Sequence, residues 1–122
     1  MKVSYIPRFL LKVQELIETN YPDFEIVWFG HMGDGNLHLN FLRPQGMSAD
    51  RFKVECEEVN YNIARLVQEL EGSISAEHGI GLLKKEQLLF SHSHQGIEAL
   101  KSIKLIFDPD GIMNPGKLLE RF

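Results

Sequence analysis

The stretch GHMGDGNLHLNF, from Gly30 to Phe41, places His31, Asp34, Asn36, His38 and Asn40 close together in sequence. Side chains of these types hold cations and polar ligands more readily than they pack. Imidazole nitrogens bind zinc at roughly 2.0–2.1 Å, so two histidines on one surface begin a metal site. A catalytic site adds a third protein ligand and leaves coordination positions open to substrate. The candidate for that third ligand lies in AEHGIG, where Glu77 and His78 precede a Gly-x-Gly loop. Neighbouring side chains ordinarily point in different directions, so one of the two would reach the ion while the other faces a bound substrate. In a second reading Glu77 raises the basicity of His78 and another group completes the metal shell. A lone loop histidine is more often solvated than ligating, and His92 and His94, in the polar run SHSH between two helix candidates, are read as solvent-exposed.

The turn decides whether His31 and His38 meet. Asp34-Gly35 predicts a two-residue type I′ hairpin turn, whose central residues both need positive φ. It pairs Gly33 with Asn36, Met32 with Leu37 and His31 with His38, the last with Cβ atoms roughly 5 Å apart. Strand alternation then puts Ile26, Trp28, Met32, Leu37, Leu39 and Phe41 on one face, and Glu25, His31, Asn36, His38 and Asn40 on the other. A longer turn, or a bulge at Gly33, would shift this register.

The surrounding elements follow from periodicity. Lys2–Tyr5, Phe24–Met32, Leu37–Leu42 and Ser73–Ser75 are the strand candidates. Pro7 suits the first turn of a helix carrying Phe9, Val13, Leu16 and Ile17. Ser48 caps a longer helix with the stripe Phe52, Cys56, Val59, Ile63, Leu66, Val67 and Leu70, ended by Gly72. Short helices are expected near Lys84–Phe90 and Gln95–Phe107, before a fixed irregular tail, FDPDGIMNPGK. The order strand, helix, strand, strand, helix, strand is the split βαβ pattern of a ferredoxin-like α+β sandwich, an antiparallel sheet with helices on one face only. The open face, ringed by Val27, Phe29 and Leu42, invites association with a partner or a second copy, that is, a homo-oligomer.

Bulk properties narrow the function classes. A chain of 122 residues is expected to form one domain, 1–122, with a core needing no disulfide. It is too short for that core together with a dinucleotide-binding domain. The net charge of −4 argues against nucleic acid, whose phosphates call for a basic face. The single Cys56 excludes an internal disulfide and fits a reducing compartment, so the expected location is cytoplasmic. No apolar run approaches a membrane span, and MKVSYIPRFL lacks the long apolar segment of a signal peptide.

Three motifs in order, GHMGDGNLH, SAEHGIG and FDPDGIMNPGK, resemble the C-terminal domain of FAD-linked oxidases of the vanillyl-alcohol oxidase type, from about Val3 to Lys117. The likeness is to the branch holding D-lactate dehydrogenase, D-2-hydroxyglutarate dehydrogenase and the flavin subunit of glycolate oxidase. It implies that His31, His38 and Glu77 bind a divalent ion, Zn or Mn, that His78 is the general base, and that Asn40 contacts a substrate carboxylate. It further implies that Asn114 and Lys117, in the segment Asn114, Pro115, Gly116, Lys117, approach the flavin. The reaction implied is oxidation of a small D-2-hydroxy acid to the 2-oxo acid. FAD itself would be held mainly by a separate FAD-binding domain or subunit. GHMGDG and GIGLLK fail the GxGxxG spacing of a phosphate loop, so the chain alone is expected to bind FAD weakly or not at all and to show no turnover. The reading from another class is a non-catalytic, truncated ferredoxin-like interaction module. A metal-dependent hydrolase ranks third, since the helical HExxH arrangement is absent.

Overall fold

The computed structural model describes residues 1–120. The chain forms two compact units, Met1–Ser73 and a second beginning at Ile74.

In the first unit a short 3₁₀ helix, Val3–Tyr5, runs into helix α1, Ile6–Asn20; strands β1, Glu25–His31, and β2, Asn36–Leu42, form an antiparallel hairpin; helix α2, Ala49–Glu69, follows. Pro7 occupies the first turn of α1, where its missing N–H has no partner to lose. Ile6, Phe9, Val13 and Ile17 recur at helical spacing and are all buried. The helix stops where the Tyr21 N–H reaches the Ile17 carbonyl at 2.8 Å, one residue before Pro22. Ser48 caps α2, its Oγ accepting from the Arg51 N–H at 3.3 Å. From α2 the core takes Val59, Ala64 and Val67, with Leu70 just beyond it.

Aromatic side chains join the hairpin to both helices. Phe9 of α1 meets Trp28 of β1 edge to face, with centroids 6.3 Å apart. Phe24 lies 5.8 Å from Phe41 of β2 and 5.3 Å from Phe52 of α2. Burying such a ring contributes about 1.5–3 kcal/mol. The hairpin face carrying Trp28 and Phe41 is therefore the inner one, and its other face has no helix to cover it within this unit.

The second unit holds a 3₁₀ helix, Lys85–Phe90, and helix α3, His94–Phe107, at the positions the sequence predicts. Ser93 caps α3, accepting from the Gly96 N–H at 3.1 Å. His92 and His94 are exposed, as expected. Among the described residues no helix is long and apolar enough to cross a membrane.

The fold is α+β, but two expected strands do not form. At Lys2–Tyr5 the Tyr5 N–H turns back to the Lys2 carbonyl at 2.9 Å, so the segment coils into α1. At Ser73–Ser75 side chains take the backbone groups a ladder would need. Ser91 Oγ accepts the Ile74 N–H at 2.8 Å, and Lys84 Nζ donates to the Ile74 carbonyl at 3.2 Å. Among the described residues the sheet has two strands, where the ferredoxin-like arrangement needs four.

The end of α2 gives a stability test. The Gly72 N–H meets the Val67 carbonyl at 2.8 Å and the Glu71 N–H meets that of Gln68 at 3.0 Å, the paired bonds of a Schellman motif. Its left-handed position belongs to Glu71, φ +51°. Gly72 is needed for closeness instead, because a Cβ there would lie 2.9 Å from Val67 Cγ1. Glu71→Gly is expected to raise unfolding stability by up to about 1 kcal/mol, and Gly72→Ala to lower it by about 1–3 kcal/mol. Chemical denaturation of both variants checks this, and shifts of the same sign would refute the geometry.

Candidate functional site

The hairpin closes by a longer turn than Asp34-Gly35 alone predicts. Met32–Asp34 form a single 3₁₀ turn, the Gly35 N–H reaches the Met32 carbonyl at 3.1 Å, and Gly35 is left-handed at φ +69°. The observed pairs are His31 with Asn36, Gly30 with Leu37 and Phe29 with His38. His31 therefore faces Asn36 across the ladder, not His38, and Met32 leaves the sheet for the loop. A type I′ turn would have required a left-handed aspartate as well as a left-handed glycine. The four-residue loop asks for that conformation only at Gly35, and Asp34 keeps an ordinary φ. Gly35 also lies so close to Met1 that a Cβ there would be 2.5 Å from the Met1 carbonyl oxygen.

The pairing has slipped by two residues, an even number, so each strand residue keeps its face. Glu25, His31, Asn36, His38 and Asn40 share the outer face with Val27, Phe29 and Leu42, while Ile26, Trp28, Leu37, Leu39 and Phe41 point inward. His31 and His38 become diagonal neighbours, with Cβ atoms roughly 7 Å apart. Their surroundings differ. The His31 side chain is 73% exposed, with Nδ1 4.0 Å from Asp34 Oδ2. His38 is half-buried, its ring stacked on Phe29 with centroids 4.7 Å apart and planes 7° from parallel. Asn40 is exposed, two residues along the same face.

In the second unit Glu77 and His78 converge: Glu77 Oε1 lies 3.0 Å from His78 Nε2. This corrects the expectation that the two adjacent side chains diverge. A carboxylate in hydrogen-bonding reach of an imidazole fixes the orientation of the ring. The loop that carries them is tied down by Ser75 Oγ donating to the Gly79 carbonyl at 2.7 Å. The Leu118 N–H reaches the Gly81 carbonyl at 2.9 Å, which joins this loop to the tail motif. Asn114 and Lys117 lie together on that tail, both exposed. The Lys117 N–H meets the Asn114 carbonyl at 3.2 Å, and Asn114 is left-handed at φ +47°.

One organiser of the tail was not foreseen. Asp108, 3% exposed, accepts the Ile112 and Met113 N–H groups at 2.9 and 3.0 Å and pairs with Lys104, which also donates to the Met113 carbonyl. The Lys104 hydrogen bond, foremost, holds the Asp108 carboxyl below the usual carboxylate range, against the opposing effect of burial. The available signal was an acid four residues after a lysine and opening the turn-forming run DPDG. Cys56 offers no competing chemistry: burial and Glu55 push its thiol pKa up, away from the reactive thiolate.

The chain belongs to the family described as FAD linked oxidases, C-terminal domain, which matches residues 1–118. It is 52% identical over 116 residues to a D-2-hydroxyglutarate dehydrogenase of Stutzerimonas stutzeri (strain A1501), covering 95% of this chain and 25% of that protein. It is 47% identical over 120 residues to a D-2-hydroxyglutarate dehydrogenase of Xanthomonas citri pv. viticola, covering 98% and 25%. It is 40% identical over 102 residues to the glycolate oxidase subunit GlcD of Bacillus subtilis (strain 168), covering 81% and 21%. The chain thus spans about a quarter of the length of the curated relatives it matches.

Asp108 makes the tail sensitive to acid. Because its folded pKa is depressed, its contribution is full above the unfolded value of about 3.9 and fades as pH falls through the folded one. Hydrogen exchange at the Ile112 and Met113 amides, corrected for intrinsic rate, should show protection at neutral pH that is lost only below about pH 4. Asp108→Asn should lose that protection at neutral pH. Equal protection in the two proteins would contradict the role given to this carboxylate.

Proposed function

We propose that this chain is the part of an FAD-linked dehydrogenase that binds a divalent metal and deprotonates the substrate, in oxidation of a D-2-hydroxy acid of the lactate, glycolate or 2-hydroxyglutarate class to its 2-oxo acid. The observation that carries the reading is the outer hairpin face, which gathers His31, His38 and Asn40 in a member of this family. The names of the relatives, D-2-hydroxyglutarate dehydrogenase above all, support the substrate class.

The proposed ligands are His31, His38 and Glu77. Two imidazole nitrogens and a carboxylate oxygen suit either Zn or Mn. The donors fit that role in their accessibility too, with the His31 side chain 73% and the Glu77 side chain 44% exposed. When bound, the ion would favour the alkoxide form of the substrate hydroxyl, and FAD, held mainly by a separate domain or subunit, would accept the hydride. His78 takes the hydroxyl proton, and Glu77 Oε1 stabilises the imidazolium so formed. A carboxylate has two oxygens, so Glu77 can serve His78 with one and the ion with the other. Asn40 donates its amide hydrogens to the substrate carboxylate, fixing the α-carbon for transfer. Asn114 and Lys117 are the proposed contacts with the flavin on this chain.

The non-catalytic alternative, a truncated interaction module, would act through a surface that the catalytic reading needs as well. Helix α3 buries none of its residues, and Ile106, Phe107, Ile112 and Met113 are 74%, 77%, 76% and 58% exposed. Apolar surface of this extent marks an association surface, for an FAD-bearing partner or for a second copy. Co-expression with the FAD-bearing portion of a relative separates the two readings. The purified chain alone should be colourless and inert toward D-2-hydroxyglutarate, D-lactate and glycolate. The assembled protein should be yellow and reduce a dye with one of them, and His78→Gln should slow it by about 10²–10⁴-fold. An assembly that forms but whose turnover ignores His78→Gln would favour the interaction module.

A further inference from the structure

We infer that Phe29 is a positioning residue for His38, holding its imidazole in the plane from which it takes up a divalent cation; this rests on the reading of His38 as a ligand. Phe29 is the direct cross-strand partner of His38 in the observed register. The rings are 4.7 Å apart and 7° from parallel, so each sets the other's χ2. Phe29 is 49% exposed on the outer face, whereas Trp28 and Phe41 supply the hairpin's inward rings. Its large ring therefore does little for the core, and among the described residues its only ring partner is His38.

The two hairpin histidines consequently differ. His31 is exposed, and no aromatic ring stacks on it among the described residues. An imidazole already held by a neighbour loses less rotamer freedom on binding a metal than one free to rotate. His38 is the preset ligand and His31 the one that swings in. Removing the stacking ring should leave the fold intact and weaken cation uptake, and a larger aromatic residue of the same shape should restore it.

The test is Zn²⁺ and Mn²⁺ uptake by the full chain in equilibrium dialysis, with side-chain NMR of the metal-free protein. Phe29→Ala and Phe29→Leu should each bind about 3–10-fold more weakly, a change on the scale of the rotamer freedom of one side chain. Phe29→Tyr should stay within about twofold of the parent, since it keeps the stacking ring. The upfield ring-current shift of the His38 ring protons should persist in Phe29→Tyr and vanish in the other two. In a His38→Ala background, Phe29→Ala should have no further effect on uptake. Parent-like affinity in Phe29→Ala and Phe29→Leu, with circular dichroism showing them folded, would overturn the positioning role. Failure of the parent chain to take up either ion, with the upfield shift intact, would overturn the ligand reading beneath it and the inference with it.

Discussion

Reversing a strand on itself forces some residue toward a left-handed backbone, and in this hairpin the whole reversal is carried by one glycine, Gly35. Every residue beyond it inherits its place from that choice. Gly35 closes a four-residue loop, the loop sets Phe29 against His38, and the alternation sends both outward together with His31 and Asn40. On the inner side the same register delivers Trp28 to Phe9, and Phe41 to Phe24. Packing and chemistry therefore share one constraint: a slip of one residue would bury the histidines and expose the aromatic rings. Gly30 adds to this near the end of β1, where φ is +136° and a Cβ would lie 2.4 Å from the Asn36 carbonyl oxygen.

Much of this was legible in the sequence, for reasons that can be named. Helical spacing of Phe9, Val13 and Ile17 and the cap at Ser48 located α1 and α2, because burial and capping are written in residue type and interval. The faces of the hairpin were legible because alternation depends on parity alone. The partner of His31 was not, because it depends on which residues turn, and Asp-Gly is compatible with a type I′ turn and with a longer loop ending in a left-handed glycine. The strands expected at Lys2–Tyr5 and Ser73–Ser75 failed for a related cause. A short strand exists only if its backbone groups find another strand, and here Ser91, Lys84 and the local turn at Tyr5 took them first.

The second unit shows what a motif string conceals. SAEHGIG and the NPGK tail are separated by a 3₁₀ helix and α3, yet one hydrogen bond, Leu118 N–H to Gly81 carbonyl, holds them together. Asp108 shapes the tail from within by gathering two N–H groups and a lysine. The convergence of Glu77 on His78 changes the chemical reading of that pair. It gives an imidazole with its own carboxylate, an arrangement that sequence adjacency could not distinguish from two side chains aimed apart.

The hairpin register sets which outer-face side chains meet, and cross-strand nuclear Overhauser effects report it directly in solution. The expected pattern has inter-strand contacts between Phe29 and His38 and between His31 and Asn36, with contact between the Phe29 and His38 rings. Backbone contacts pairing His31 directly with His38 and Met32 with Leu37 would show the tighter turn instead, and would contradict the placement of every outer-face residue relative to its partner.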